Sequence, residues 1–437
     1  MTRQAQFSCI RCHNRYALDD IRYNCGECGA LLEVSYDPST LLNKSPEEWR
    51  RTFQGRLGGQ PGPHGSGVWR FKEWVLPDIP NEDIVTLGEG ATALVNAPRL
   101  SENLGIELLT KECGHTLTGS FKDLGMTVLV SQVQSMRRRG IHIPAIACAS
   151  TGDTSAALAA YGAAAGIPTL VLLPKGKISA AQLVQPLSHG AKVIAIDSDF
   201  DGCMKHVQAL CEAENVYLAN SKNSLRIEGQ KTVALEIAQG LGWNVPNWVV
   251  IPGGNLGNVS ALYKGFQMLK DANLISKIPR FICAQAEKAN PLFNAFQSGF
   301  KALKPIQAQE TQASAIRIGN PVSYPKAVKA LQATDGIVMS ISEEELTCAA
   351  LKADAHGLYL CPHTAVAMAA TEKGIQDNLI QKGEQIVVIS TAHGLKFTEF
   401  KTKATTNEIP DVDLGQAQVP REVADDFDAV RKAALGA

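Results

Sequence analysis

Apolar residues in this chain gather into short unbroken runs. From about residue 105 the runs IELLT, IPAIACA, PTLVLLP, AKVIAID, WVVIP, RFICAQA and QIVVIS follow one another, separated by segments with apolar positions at helical spacing. Such runs between helices are how parallel strands read when both faces are buried. Their alternation with helices predicts a doubly wound α/β fold with mainly parallel sheets. One helix is expected from Ser120 to Arg139, one over SAALAAYGAAAG, and one beginning near Val259. The rest of the chain departs from this pattern. Residues 36–85 are rich in Gly and Pro around LGGQPGPHGSG (57–67) and read as an irregular connecting arm; beyond about 400 the chain is polar, with a last amphipathic stretch VADDFDAVRKAAL.

A length of 437 residues exceeds one ordinary core and implies two or three domains. With 45% hydrophobic and 19% charged residues the composition is that of a soluble globular protein. The formal net charge of -1 leaves no positive field to attract nucleic acid or an anionic membrane, and no apolar run reaches the roughly 20 residues that span a bilayer. The start, MTRQAQFSCIRC, has neither a secretory apolar core nor a long Arg- and Ser-rich stretch, so a cytoplasmic protein is expected. The 11 cysteines, an odd number, suit reduced thiols and metal ligands better than a disulfide framework. Cys148, Cys203, Cys211, Cys283 and Cys348 are expected as small buried hydrophobes.

Four cysteines stand apart. Cys9 and Cys12 form one CxxC pair, and Cys25 and Cys28 form another 12 residues later. Two such pairs can place four thiolates around one tetrahedral zinc, each pair on its own turn. Cys9-Ile-Arg-Cys12-His13 also fits the CxxCH of covalent haem attachment, but that reading needs an exported context and leaves the second pair unexplained. The surrounding charges are mixed, which favours a structural ribbon over a nucleic-acid-binding one.

In Thr118-Gly-Ser-Phe-Lys122-Asp-Leu-Gly125, Ser120 reads as an N-cap with Asp123 completing a capping-box-like pair. That puts Lys122 in the first helical turn, where the macrodipole disfavours a cation. The residue is either a solvated lysine neutralised by Asp123 or a nucleophile whose pKa the same field lowers. Gly253, Gly254, Asn255, Leu256 and Gly257 follow a buried strand and precede a helix, a loop sized for one phosphate. It could equally be a tight turn that needs glycine. Ser150, Thr151, Thr154 and Ser155 open another helix, and their hydroxyls and amides suit a carboxylate or simply cap the helix. An amine, a monophosphate cradle and a carboxylate cradle are the set required by a cofactor with one aldehyde and one phosphate acting on an amino acid.

Taken in order, TGSFKDLGM (118–126), ASTGDTSAA (149–157), NSLRIEGQKT (223–232), PGGNLGN (252–258), CPHTAVA (361–367) and TAHGLKF (391–397) resemble the fold-type-II pyridoxal-phosphate enzymes and, among them, the threonine synthases. The likeness spans about 86–400, and residues 16–37 are similar to that family's N-terminal segment. It implies a zinc ribbon at 1–35, an arm at 36–85, a large cofactor-binding domain from 86–140 and 223–437, and a small α/β domain at 141–222. It also implies pyridoxal phosphate held by Lys122 as a Schiff base, its phosphate on Gly253–Gly257, and Thr364 facing the pyridine nitrogen. Asp153 stands where many such enzymes have Asn beside the ring hydroxyl, so it is either protonated or turned away. Ala93 replaces a common Pro in GEGATAL, and Thr116 and Leu117 lengthen the approach to the lysine.

The activity implied is β,γ-replacement, converting O-phospho-L-homoserine and water to L-threonine and phosphate, by a homodimer. A substrate with a distal phosphate needs a second anion site. Arg226, just before a helix opened by Glu228-Gly229-Gln230, is expected to supply it with Asn223 in support, the competing reading being a surface ion pair with Glu228. Other enzymatic readings are a hydroxy-amino-acid dehydratase or a cysteate or cysteine synthase-like β-replacement enzyme. A third is a non-catalytic zinc-ribbon regulator with a vacant cofactor fold. His115, His363 and His393 receive no role, since lone histidines often cap or pack.

Overall fold

The N-terminal cysteines sit on a small antiparallel sheet. In the computed structural model, which describes residues 4–58, 62–176, 180–415 and 417–436, strands β1 (Ala5–Cys9), β2 (Arg15–Tyr16) and β3 (Leu32–Tyr36) pair in the order β2-β1-β3. Ala5, Phe7 and Cys9 on β1 and Leu32 and Val34 on β3 turn inward, the period-2 alternation of a sheet with one covered face. The arm that follows is more ordered than its glycines and prolines imply. Ser45 and Glu48 form a capping box at the helix Pro46–Gln54, whose Trp49 and Phe53 pack with Phe71 and Trp74 in one buried aromatic cluster. Part of the glycine-rich tract, 59–61, lies outside the described residues.

Ten strands build the body: β4 (Leu94–Asn96), β5 (Glu107–Glu112), β6 (Ile146–Ala149), β7 (Thr169–Pro174), β8 (Lys192–Ile196), β9 (Tyr217–Leu218), β10 (Trp248–Pro252), β11 (Arg280–Ala286), β12 (Ile337–Ile341) and β13 (Gln385–Ser390). One sheet has the order β12-β11-β10-β13-β5-β4, parallel except for β4, and the other β8-β7-β6-β9, parallel throughout. Each of the seven apolar runs is a strand. β10, central in its sheet, is buried at every position, whereas β8 lies on an edge and is largely exposed. Parallel strands leave their carboxyl ends on one side, and the segments after β6 and β13 meet through Asp153 and Lys396.

Two helices pack against the one that begins at Lys122. Lys122–Arg138 packs against both Asp153–Ala165 and Leu225–Gln230. The second contact is closer than side chains usually allow. A methyl group added at Gly229 would fall 1.6 Å from Leu124 O, and one at Gly125 would fall 2.9 Å from Arg226 Cβ. Glycine at both places is what brings Arg226 beside the lysine helix. Among the described residues no helix is long and apolar enough to cross a membrane. Of the cysteines expected to be buried, Cys148, Cys203, Cys211 and Cys283 are, but Cys348 is exposed on the helix Glu343–Ala355.

Candidate active site

Lys122 is the first residue of its helix, but the expected capping box is absent. Asp123 turns back instead to accept hydrogen bonds from Thr118 N at 2.9 Å and Thr118 Oγ1 at 2.5 Å. Ser120 bridges to Ala392, just beyond β13. The two extra residues of the approach are accommodated because Thr116 Oγ1 donates to Ser120 O at 3.0 Å while Leu117 points to solvent. The amine of Lys122 lies 3.8 Å from the centre of the Phe121 ring. Its pKa is lowered to about 7, chiefly by burial and then by the Arg226 guanidinium; Asp153 opposes the shift and Lys396 adds to it. The helix end is not the main cause.

Arg226 is 3% exposed and sits inside the helix Leu225–Gln230 rather than before it. Its guanidinium donates to Ala219 O at 3.0 Å and to Thr154 Oγ1 at 3.4 Å, and Nε has no partner. No carboxylate neutralises it among the described residues. The ion pair with Glu228 is not formed, because residues two apart on a helix point to opposite sides. Asn223 turns both polar groups to the backbone, donating to Leu218 O at 3.0 Å and accepting from Leu225 N at 3.1 Å. It shapes the turn that carries Arg226. Ser155 Oγ donates to Gly152 O at 2.7 Å, and Ser150 Oγ accepts from Gly152 N at 3.3 Å. Thr154 thus turns its hydroxyl toward Arg226, while Thr151 is half-buried on the loop between.

After β10 the chain runs through Gly253 and Gly254 to Leu256 in the left-handed region (φ 66°), and the helix Gly257–Asp271 begins there. The N–H groups of Gly254, Asn255, Leu256 and Gly257 find no acceptor among the described residues. Asn258, next along the helix and 8% exposed, leaves both atoms of its side-chain amide unpartnered. Buried donors are rarely left unmet, and a ring of them at a helix start fits a phosphate. Thr364, fully buried on the helix Pro362–Gln376, accepts from Thr391 N at 3.1 Å and lies 3.1 Å from Cys361 Sγ.

The surroundings of Asp153 favour its charged form. Its carboxylate pairs with Lys396 Nζ at 3.0 Å, and although burial pushes its pKa up, the charges of Lys396, Lys122 and His363 carry it below the ordinary value. Lys396 also donates to Thr118 O at 2.7 Å and to Gln185 Oε1, on the helix Ala180–Ser188, at 2.9 Å. Sequence reasoning passed over Lys396 and Asn258, though both stand inside motifs it had singled out. His363 is buried, its pKa pulled down to about 4 by burial, and its Nε2 accepts from Ala315 N at 2.9 Å. That is a packing role. His393 Nδ1 accepts from Leu395 N at 3.1 Å, and His115 is exposed.

The sulfurs of Cys9, Cys12, Cys25 and Cys28 lie within 4.8 Å of one another. The backbone N–H groups of Arg11 and Cys12 point at Cys9 Sγ, at 3.4 and 3.5 Å. Four sulfurs so gathered fit a tetrahedral metal with no open position.

The family described as "Pyridoxal-phosphate dependent enzyme" matches residues 85–392. Threonine synthase 2, chloroplastic, of Arabidopsis thaliana is 50% identical over 95% of this chain and 81% of its own length. The threonine synthase of Methanocaldococcus jannaschii is 40% identical over 92% of this chain and 95% of its own. The crystal structure of threonine synthase from Escherichia coli superposes with a TM-score of 0.69 over 99% of both chains at 22% identity, a likeness of fold. The chain belongs to the pyridoxal-phosphate-dependent enzymes and, within them, to the threonine synthases.

Proposed function

We propose that the protein converts O-phospho-L-homoserine and water to L-threonine and phosphate, with Lys122 as the residue that binds pyridoxal phosphate and then moves protons. The observation that carries this reading is Arg226, a buried guanidinium that no carboxylate among the described residues neutralises, with an unmet Nε, packed beside the lysine helix. A buried cation without a counter-charge is costly, so this one suits a ligand that brings an anion. In the proposed arrangement Gly253, Gly254, Asn255, Leu256 and Gly257 hold the cofactor phosphate, and Arg226 with Thr154 holds the substrate phosphate. Ser150, Thr151 and Ser155 line the place of the substrate carboxylate. Thr364 would offer the pyridine nitrogen a neutral hydroxyl, and Asn223 acts by holding the Arg226 turn.

When bound, the cofactor supplies an electron sink for the charge left as a substrate C–H bond breaks. The chain does the rest. Near neutral pH the lowered pKa of Lys122 leaves much of its amine unprotonated, fit to take a proton from one carbon and return it to a neighbour. Arg226 stays charged and holds the phosphate so that its C–O bond can break. The Asp153–Lys396 pair keeps a fixed negative charge beside the lysine without adding net charge.

The proposed domains are a ribbon at 1–35, an arm at 36–85, a large domain from 86–140 and 223–437, and a small one at 141–222. The four-stranded sheet falls within the small segment. Four converging sulfurs support one structural zinc per chain, and eleven cysteines free of disulfides suit a reducing compartment such as the cytoplasm. A homodimer completes the proposal. The test is an assay of phosphate release from O-phospho-L-homoserine with L-threonine identified as product. Release of ammonia and an oxo acid instead would favour the dehydratase reading.

A further inference from the structure

The far side of the Arg226 helix carries a charge cluster that the proposed reaction does not use. Glu228, wholly buried, takes Lys231 Nζ at 2.5 Å and, from another helix, Lys264 Nζ at 2.5 Å. A third partner comes from the metal-ribbon sheet. The hydroxyl of Tyr36, the last residue of β3, contacts the same carboxylate, accepts from Lys231 Nζ at 2.8 Å and reaches Val75 O at 2.7 Å. The Tyr36 ring lies 4.3 Å from the Lys231 ammonium. Two backbone carbonyls of β3 add to the grip, Val34 O accepting from Lys264 at 2.5 Å and Leu32 O from Lys326 at 2.6 Å.

Charges buried this deeply are poor value for stability alone, since apolar residues of similar size usually hold a core as well. What they provide is a fixed geometry. Glu228 shares a six-residue helix with Arg226, and Lys264 lies on the helix that begins at the glycine loop. We propose that Tyr36 is a positioning residue for the substrate: through Glu228 and Lys231 it sets the orientation of the helix that presents Arg226, so the ribbon strand forms part of the substrate-binding unit. This inference rests on the reading of Arg226 as an anion site.

Tyr36→Phe keeps the ring and removes only the hydroxyl. In the holoenzyme the cofactor occupies the glycine loop, so calorimetric titration with inorganic phosphate reports the Arg226 site, with Arg226→Ala as the reference for its loss. Tyr36→Phe should weaken phosphate binding by about ten-fold and raise KM for O-phospho-L-homoserine to match, since a displacement of an ångström is worth up to about 10²-fold. The kcat should stay within about two-fold and the cofactor absorbance should not change. Lys264→Met, which removes another ligand of Glu228, should give the same pattern. Phosphate affinity and KM equal to the wild type in Tyr36→Phe, whatever its melting temperature, overturn the inference alone. A wild-type holoenzyme that binds no phosphate overturns the Arg226 reading and this inference with it.

Discussion

A lysine amine attacks a carbonyl only after it has lost its proton, and the neighbours of Lys122 decide when that happens. Burial and the cations Arg226 and Lys396 favour the neutral amine, and Asp153 favours the ammonium; the balance brings the pKa to about 7. Below that value the amine is protonated and slow; above it the nucleophile is fully present. Uptake of pyridoxal phosphate by the apoprotein, followed by absorbance, should therefore rise through a midpoint near pH 7 and level off. A rate still climbing beyond pH 9 would show an ordinary lysine. Borohydride should fix the cofactor to Lys122, and Lys122→Ala should abolish turnover. Arg226→Ala should keep the cofactor yet lose about 10²–10³ in kcat/KM, the cost of a charge-assisted contact to a buried phosphate at about 2–4 kcal/mol. It should also move the uptake midpoint upward, because a cation that repelled the Lys122 proton has gone.

Between elements, the contact that matters most is the crossing of Lys122–Arg138 with Leu225–Gln230. At Gly229 the obstacle to a side chain is the backbone oxygen of Leu124, which cannot rotate away. Gly229→Ala should force the helices apart and cost about 1–3 kcal/mol, as overpacked sites do. Thermal melting should show a lower transition, and kcat/KM should fall because Arg226 moves with its helix. Wild-type melting and activity in this variant would mean that the helices tolerate separation. The Asp153–Lys396 pair works at the same scale, joining the first turn of one helix to the loop after β13.

Across the whole molecule, the ribbon and the catalytic body are joined through β3 and the Glu228 cluster. One zinc per chain, with sulfur ligands at about 2.3 Å, is the expected result of elemental analysis and X-ray absorption. Replacing Cys12 and Cys25 by serine should lower the melting temperature, because a structural metal site contributes its binding energy to folding. The cofactor absorbance should survive. Protein purified without chelator that carries no metal would remove zinc from the account.

Chemistry carried by contiguous residues is legible in the sequence alone. Six of the seven apolar runs are central strands, which show no polar face, and the seventh is the edge strand β8; paired CxxC spacing fixes where four sulfurs can meet. β4, β9 and β12 do not stand out: two are only two or three residues long, and in β12, at a sheet edge, Ser340 breaks the apolar run IVMSI. The Ser120 cap failed because Asp123 found closer donors in Thr118. The distant partners of Arg226, Asp153 and Glu228 were hidden for one physical reason. Each comes from a segment tens to hundreds of residues away, as Thr154, Lys396 and Tyr36 do. Sequence determined which groups could bind an aldehyde, a phosphate and a metal. Tertiary packing, the close helix crossing at Gly125 and Gly229 included, decided which charges would face one another, because pairing at that distance is set by the backbone that carries them.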